Sequence, residues 1–136
     1  MSNFVFADTS FFKAYIDPGD DFHLQALEIF ESLKSEQGML ITSNYVLDET
    51  FTLLRVKCGL EIALEFKAIL EEFEVGLKII RVTIADEVLA WKWFVNDWGK
   101  LSFTDCVSFA LMNRLEIARA AAFDNHFARA GFEIEK

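Results

Sequence analysis

A three-layer α/β/α fold, with a short and mostly parallel central sheet covered by helices on both faces, is what this sequence predicts. Three observations predict it. The apolar runs "FVFA", "MLIT" and "AAAF" are continuous and uncharged rather than alternating, as strands buried on both faces are. Segments with helical spacing separate these runs, and such alternation favours parallel pairing through right-handed crossovers. Glycine or proline marks several of the junctions.

The elements follow in order. Asn3 to Ala7 reads as a first buried strand. Asp17, Pro18 and Gly19 mark a turn, and "DDFHLQALEIFESLKSE" then carries a helical stripe of Leu24, Leu27, Phe30 and Leu33, with an acidic start suited to the positive end of a helix. After Gly38, "MLIT" is a second strand and "SNYVLDETFTLLRVKCG" the helix behind it, stopped by Gly59. "LEIALEFKAILEEFEVG" is a further helix, with Leu60, Ala63, Leu64, Phe66 and Leu70 near one side and Gly76 at its end; the two helices can form a hairpin. "KIIRV" supplies a third strand. Thr83 and Asp86 have the spacing of a capping box and open a helix carrying Val88, Leu89, Trp91 and Phe94. The chain turns around Trp98 and Gly99, and "SFTDCVSFALMNRL" gives another helix. "ARAAAF" is a fourth strand, "DNHFARAG" a short helical turn closed by Gly131, and "FEI" a final edge strand.

Length and composition set the frame. With 136 residues, 53% of them hydrophobic and 15 of them phenylalanine, one domain spanning 1–136 can bury its own core. A net charge of -9 and a pI near 4.6 argue against a diffuse basic surface and against tight non-specific binding of nucleic acid. They leave room for an enzyme that handles nucleic acid through a local metal site. Cys58 and Cys106 lie far apart in apolar patterns without zinc-like spacing, so they read as buried thiols in a reducing compartment. No stretch approaches the ~20 apolar residues of a membrane span, and no leader-like segment opens the chain, so a cytoplasmic protein is expected. No G-x-G-x-x-G follows the first strand and no P-loop lysine motif occurs, which leaves nucleotide cofactors little support.

The carboxylates carry the chemistry. All strands of a parallel sheet end at the same rim, so Asp8 after the first strand and Asp124 after "AAAF" meet there if those strands are neighbours. Two carboxylates held close repel unless a cation lies between them or one takes a proton, and a divalent metal is the simplest partner. Each is also a good helix or turn cap. On the helix "NYVLDETFTLLRV", Asp48 shares a polar face with Asn44, Thr52 and Arg55, whereas Glu49 shares a face with Tyr45, Leu53 and Val56. A carboxylate carried into an apolar seam needs a partner, so Glu49 is the one to explain. Asp105 forms an S-x-x-D capping box with Ser102, yet it also heads the stripe of Phe109 and Met112.

Asp8 in "FADTSFF", Glu49 in "VLDETF", Asp105 in "SFTDCVSFALM" and Asp124 in "AAFDNHF" together resemble the ordered motifs of the PIN-domain ribonucleases, in particular the VapC-type toxins. The resemblance runs over nearly the whole chain. It implies an α/β/α sheet, a homodimer, Mg2+ or Mn2+, and hydrolysis of single-stranded or exposed RNA. It matches Asp8 and Asp105 to the central metal-binding aspartates, Glu49 to the helix-borne glutamate and Asp124 to a fourth acid. Thr9, Ser10 and Thr104 match supporting hydroxyls, with Asn125 beside the fourth acid. In-line cleavage leaving 5′-phosphate and 3′-hydroxyl ends is expected, without histidine as base, and His23 and His126 read as structural. Lys13, Arg55 and Lys100 are the substrate-contact candidates, and Phe11, Phe12 and Trp98 the aromatic ones. The family also implies a small antitoxin protein that covers the site. A PIN-like interaction protein with little catalysis and a metal-dependent nuclease acting on DNA are the competing readings. The expected dimer surface is the helical hairpin between Tyr45 and Phe73.

Overall fold

Every strand pair in the sheet is parallel. The computed structural model describes residues 3–73 and 76–135. Its five strands, β1 (Phe4–Ala7), β2 (Met39–Ser43), β3 (Gly76–Ile80), β4 (Arg119–Ala121) and β5 (Glu133–Ile134), lie in the order β3-β2-β1-β4-β5. Phe6 is in register with Ile41 on one side and Ala120 on the other. Seven helices connect them: α1 (Thr9–Ile16), α2 (His23–Ser35), α3 (Asn44–Lys57), α4 (Leu60–Glu71), α5 (Ile84–Phe94), α6 (Phe103–Leu115) and α7 (His126–Arg129). Right-handed crossovers carry the chain outward from β1 to β3 over α1–α4, then back across to β4 and β5 over α5–α7, so the two helix sets cover opposite faces. The direction of winding reverses between β1 and β4. That switch point is where open parallel sheets hold their sites.

Two aromatic clusters fill the layers. Phe6, Phe109, Phe127 and Phe132 pack on one side, joined by Trp93 and Trp98. Phe11, Phe12, Phe51 and Phe66 pack on the other, with Tyr15, Phe30 and Phe73 beside them. Full burial of such a ring stabilises the fold by about 1.5–3 kcal/mol relative to exposure. These clusters account for the weight of phenylalanine in the sequence.

Helix α1 departs from the sequence reading, which assigned no helix there. Its Thr9, Phe11, Phe12, Ala14 and Ile16 are buried while Ser10 and Lys13 lie on the partly exposed side, and at 8 residues the segment is too short for that period to stand out. Asp8 caps it, accepting from the Ser10 amide, and Asp17 ends it just before Pro18. Two stripes are also rotated from expectation. On α2 the core face is Ala26, Ile29, Phe30 and Leu33, while Leu24 is 75% exposed. On α4 Ala63 and Phe66 are buried and Leu60 and Leu64 are exposed, because small and aromatic side chains fit the facing helices. Gly76 begins β3 instead of ending α4, which stops at Glu71; the intervening Glu74 and Val75, read as helix from the sequence, lie outside the described residues.

The capping box of Thr83 and Asp86 is present at the start of α5. The Asp86 side chain is fully buried, and Arg114 of α6 grips it with two hydrogen bonds of 2.8 and 2.9 Å. Only Asp86 and Ala90 of α5 are buried. Val88, Leu89, Trp91 and Phe94 are the exposed positions, so beside the ion pair this helix is held through Ala90 and through Trp93, which packs on Phe109. Cys106 is buried as expected, whereas Cys58 is only partly so, with its Sγ 3.6 Å from Asp17 Oδ2.

Candidate active site

A cleft of about 310 Å³ opens at the C-terminal rim of the sheet, and Asp8, Glu49, Asp105 and Asp124 all line it. The topology explains the convergence. Parallel pairing of β1 with β4 brings their exits together, and the Asp8 amide donates to Ala121 O at 3.1 Å. The first turns of α3 and α6 start from the same rim and deliver Glu49 and Asp105.

Each acid is held by a neighbour. The Ser10 hydroxyl donates to Asp8 Oδ2 at 2.9 Å and itself accepts the Phe123 amide at 2.9 Å, tying the β4 exit to the β1 exit. Asp8 Oδ1 is buried and has no hydrogen-bond partner. The Thr9 hydroxyl donates to Glu49 Oε1 at 2.8 Å. Asp105 closes its capping box with Ser102 and faces His126 Nδ1 at 3.2 Å, and both contacts use Oδ2. Oδ1 is thereby left for the cleft. Asp124 Oδ1 accepts the His126 amide at 2.9 Å.

The electrostatics are those of crowded anions. Burial first, and then the Asp105 and Asp124 carboxylates, push Asp8 well above the usual carboxylate range. Burial, Asp124 and Glu49 push Asp105 up to about 7. Oxygens of Asp105 and Asp124 and a ring nitrogen of His126 lie within 4.8 Å of one another. A buried, orphaned carboxylate oxygen amid further acids calls for a cation, and hard oxygen donors suit Mg2+ or Mn2+.

Several supporting assignments need correction. Thr104 and Asn125 do not line the cleft. Each is adjacent in sequence to an acid, and on a helix or tight turn the next side chain points elsewhere. The Thr104 carbonyl accepts from Ser108, and Asn125 is exposed. Ser102, in the cleft lining, and His126, against Asp105 but outside that lining, support the acids instead. His126 is buried, and its Nε2 lies 2.9 Å from Gly99 O, an atom that only accepts, so Nε2 carries a proton. Nδ1 is the atom that faces Asp105 Oδ2. This histidine positions an acid and the Gly99 loop, and its spacing in "DNHF" was the only signal for it.

The basic and aromatic candidates divide. Lys13 and Lys100 line the cleft, but Lys13 Nζ is already paired with Asp17 at 2.9 Å and Asp20 at 3.0 Å. Arg55 is exposed, away from the cleft lining, since α3 carries it nearly two turns beyond Glu49. Asp48 is exposed while Glu49 is half-buried. Phe11 and Phe12 are fully buried core, unable to meet a base, and Trp98 stacks on His126 beneath the Arg129 guanidinium.

A parallel five-stranded sheet with this strand order and four acids at its switch point define a class. The chain belongs to the PIN domain family, whose model matches residues 5–133. Among curated proteins it is 39% identical over 129 residues to the 23S rRNA-specific endonuclease VapC20 of Mycobacterium tuberculosis, in strains CDC 1551 and H37Rv, covering 94% of this chain and 95% of the relative. The crystal structure of M. tuberculosis VapC20, described as a sarcin-ricin loop cleaving toxin, superposes with a TM-score of 0.82 at 38% identity, covering 94% of this chain and 95% of that one.

Proposed function

We propose that this protein is a divalent-metal-dependent endoribonuclease, the toxin of a toxin–antitoxin pair, and that it cleaves an exposed loop of 23S ribosomal RNA. The orphaned Oδ1 of Asp8 carries the metal reading, and similarity to VapC20 across the chain supports the substrate. Asp8, Glu49, Asp105 and Asp124 would hold Mg2+ or Mn2+. A bound ion of that kind supplies positive charge for the phosphate oxygens and lowers the pKa of a water. Ser10, Thr9 and Ser102 fix the rotamers of three acids, and His126 sets its Nδ1 against Asp105. A homodimer and a covering antitoxin complete the reading, with action in the cytoplasm; no helix among the described residues is long and apolar enough to cross a membrane. Ile84, Val88, Trp91 and Val95 form an exposed apolar stripe at heptad spacing along α5 and its cap, a better pairing surface than the hairpin expected from the sequence.

The test is cleavage of ribosomal RNA and of the matching DNA loop with Mn2+, Mg2+ or chelator. Metal-dependent cuts in RNA with 5′-phosphate and 3′-hydroxyl ends are expected. Equal cleavage of DNA would shift the reading to a general nuclease, and inactivity in every metal would favour the interaction protein. His126→Asn is expected to lower kcat about 10- to 100-fold, the scale of losing a partner that orients a metal ligand. Unchanged kcat with unchanged Mn2+ affinity would assign His126 to the fold alone.

A further inference from the structure

Phe22 and Phe123 stack face to face on the wall of the acid-lined cleft, with ring centroids 4.8 Å apart and planes 2° from parallel. Phe22 is 42% exposed, and Phe123 is its sole ring partner among the described residues. Stacked on one side and open to solvent, Phe22 offers a flat apolar face beside the carboxylates.

Both rings are fixed relative to the acids. The Phe123 amide is bonded to the same Ser10 hydroxyl that donates to Asp8. The Phe22 amide donates to Asp20 Oδ1 at 2.8 Å, and Asp20 Oδ2 holds Lys13. The main chain of both residues is thereby tied to the elements that carry the cluster, and the stacked pair stands beside it. Charge supplies a second argument. A net charge of -9 and the pairing of Lys13 with two carboxylates leave Lys100 as the other cation of the cleft lining, so side-chain ion pairs offer an RNA few holds. Beside the ion and that lysine, affinity can come from contacts that are not ionic, and aromatic faces hold unpaired bases in single-stranded RNA by stacking.

We propose that the Phe22–Phe123 pair is the base-binding subsite of this cleft, taking one unpaired nucleobase turned out of the RNA strand onto the open side of Phe22. The inference rests on the ribonuclease reading and adds how substrate is gripped. It makes RNA binding shallow in its salt dependence, because stacking releases no counterions.

The experiment uses the full chain and short single-stranded RNAs carrying 2-aminopurine at successive positions, whose fluorescence changes when the base stacks. Binding is followed in Ca2+ at several salt concentrations, and cleavage in Mn2+, for wild type, Phe22→Ala, Phe22→Leu and Phe22→Trp. Folding is checked by circular dichroism. Expected are a fluorescence change at one position, its loss with Ala and Leu, a KM raised about tenfold or more with kcat nearly unchanged, and restoration by Trp. Leu keeps an apolar side chain, so its failure to rescue separates stacking from packing. If wild type cleaves but Ala and Leu match its KM and fluorescence, the platform falls and the ribonuclease reading stands. If wild type cleaves nothing yet stacks the probe through Phe22, the platform stands and that reading falls. No fluorescence change in wild type overturns the platform.

Discussion

Asp8→Asn is expected to abolish cleavage and, in the absence of metal, to make the protein more stable than wild type. The loss follows from removing a charged oxygen at the centre of the cluster. Several kcal/mol of charge stabilisation in the transition state correspond to about a thousandfold or more in kcat. The gain follows from burial. Asp8 and Asp105 have folded-state pKa values raised above the ordinary 3.8, so the folded protein binds protons that the unfolded chain has released. The contribution of Asp105 to stability is therefore full below about pH 4 and is lost as pH rises through about 7, and that of Asp8 is lost as pH rises through its own raised pKa. Above that window a metal-free wild type carries buried charges that repel, and an amide at position 8 removes one of them. A rise in Tm of roughly 3–6 °C at pH 8 in chelator is expected. Mn2+ should raise the Tm of wild type and leave the variant unmoved. A variant that melts below wild type in chelator and still responds to Mn2+ would show that Asp8 is a cap and not a ligand.

Arg114→Ala is expected to destabilise the fold strongly although the side chain itself is only partly buried. It strands the Asp86 carboxylate, which is fully buried and would retain only the Thr83 amide at 3.0 Å. Breaking a buried pair from one side typically costs about 3–5 kcal/mol; the cap that remains places this case near the lower figure, or roughly 10 °C in Tm. Burial by itself pushes Asp86 up, but the guanidinium and the capping bonds outweigh it and hold the carboxyl below 3.8. The sign is opposite to that at the cleft. The stability from this pair is present above about pH 4 and is lost as pH falls through the folded pKa, so the gap between wild type and variant should narrow in acid. Replacing both residues by alanine should recover part of the loss, because no charge is then left buried. Thermal melts of wild type and the two variants at pH 7 and pH 3 decide it, and a gap that stays constant would remove the ion pair from the account.

The sheet and the four acids were legible because they depend on few signals. Continuous apolar runs fix strands buried on both faces, and a carboxylate just after such a run falls at the rim. The choice of Glu49 over Asp48 needed only the helical period. What escaped were features set by tertiary packing. Helix α1 has only 8 residues, too few for its period to stand out, and the stripes of α2 and α4 are rotated because the facing elements decide which of several apolar side chains turn inward. His126 and the Phe22–Phe123 stack join residues separated by 21 and 101 positions. No local pattern marks such pairs. Among 15 phenylalanines, those exposed at the cleft read the same as those in the core.

The link from the Phe123 amide through Ser10 to Asp8 has a spectroscopic consequence. While Asp8 is ionised, Ser10 must give its proton to the carboxylate and turn a lone pair to the amide. An ion or a proton arriving on Asp8 changes how strongly that hydroxyl polarises. The nitrogen and proton resonances of Phe123 are thus a built-in gauge of what the carboxylate holds, readable by NMR in the intact protein without touching any residue of the cleft.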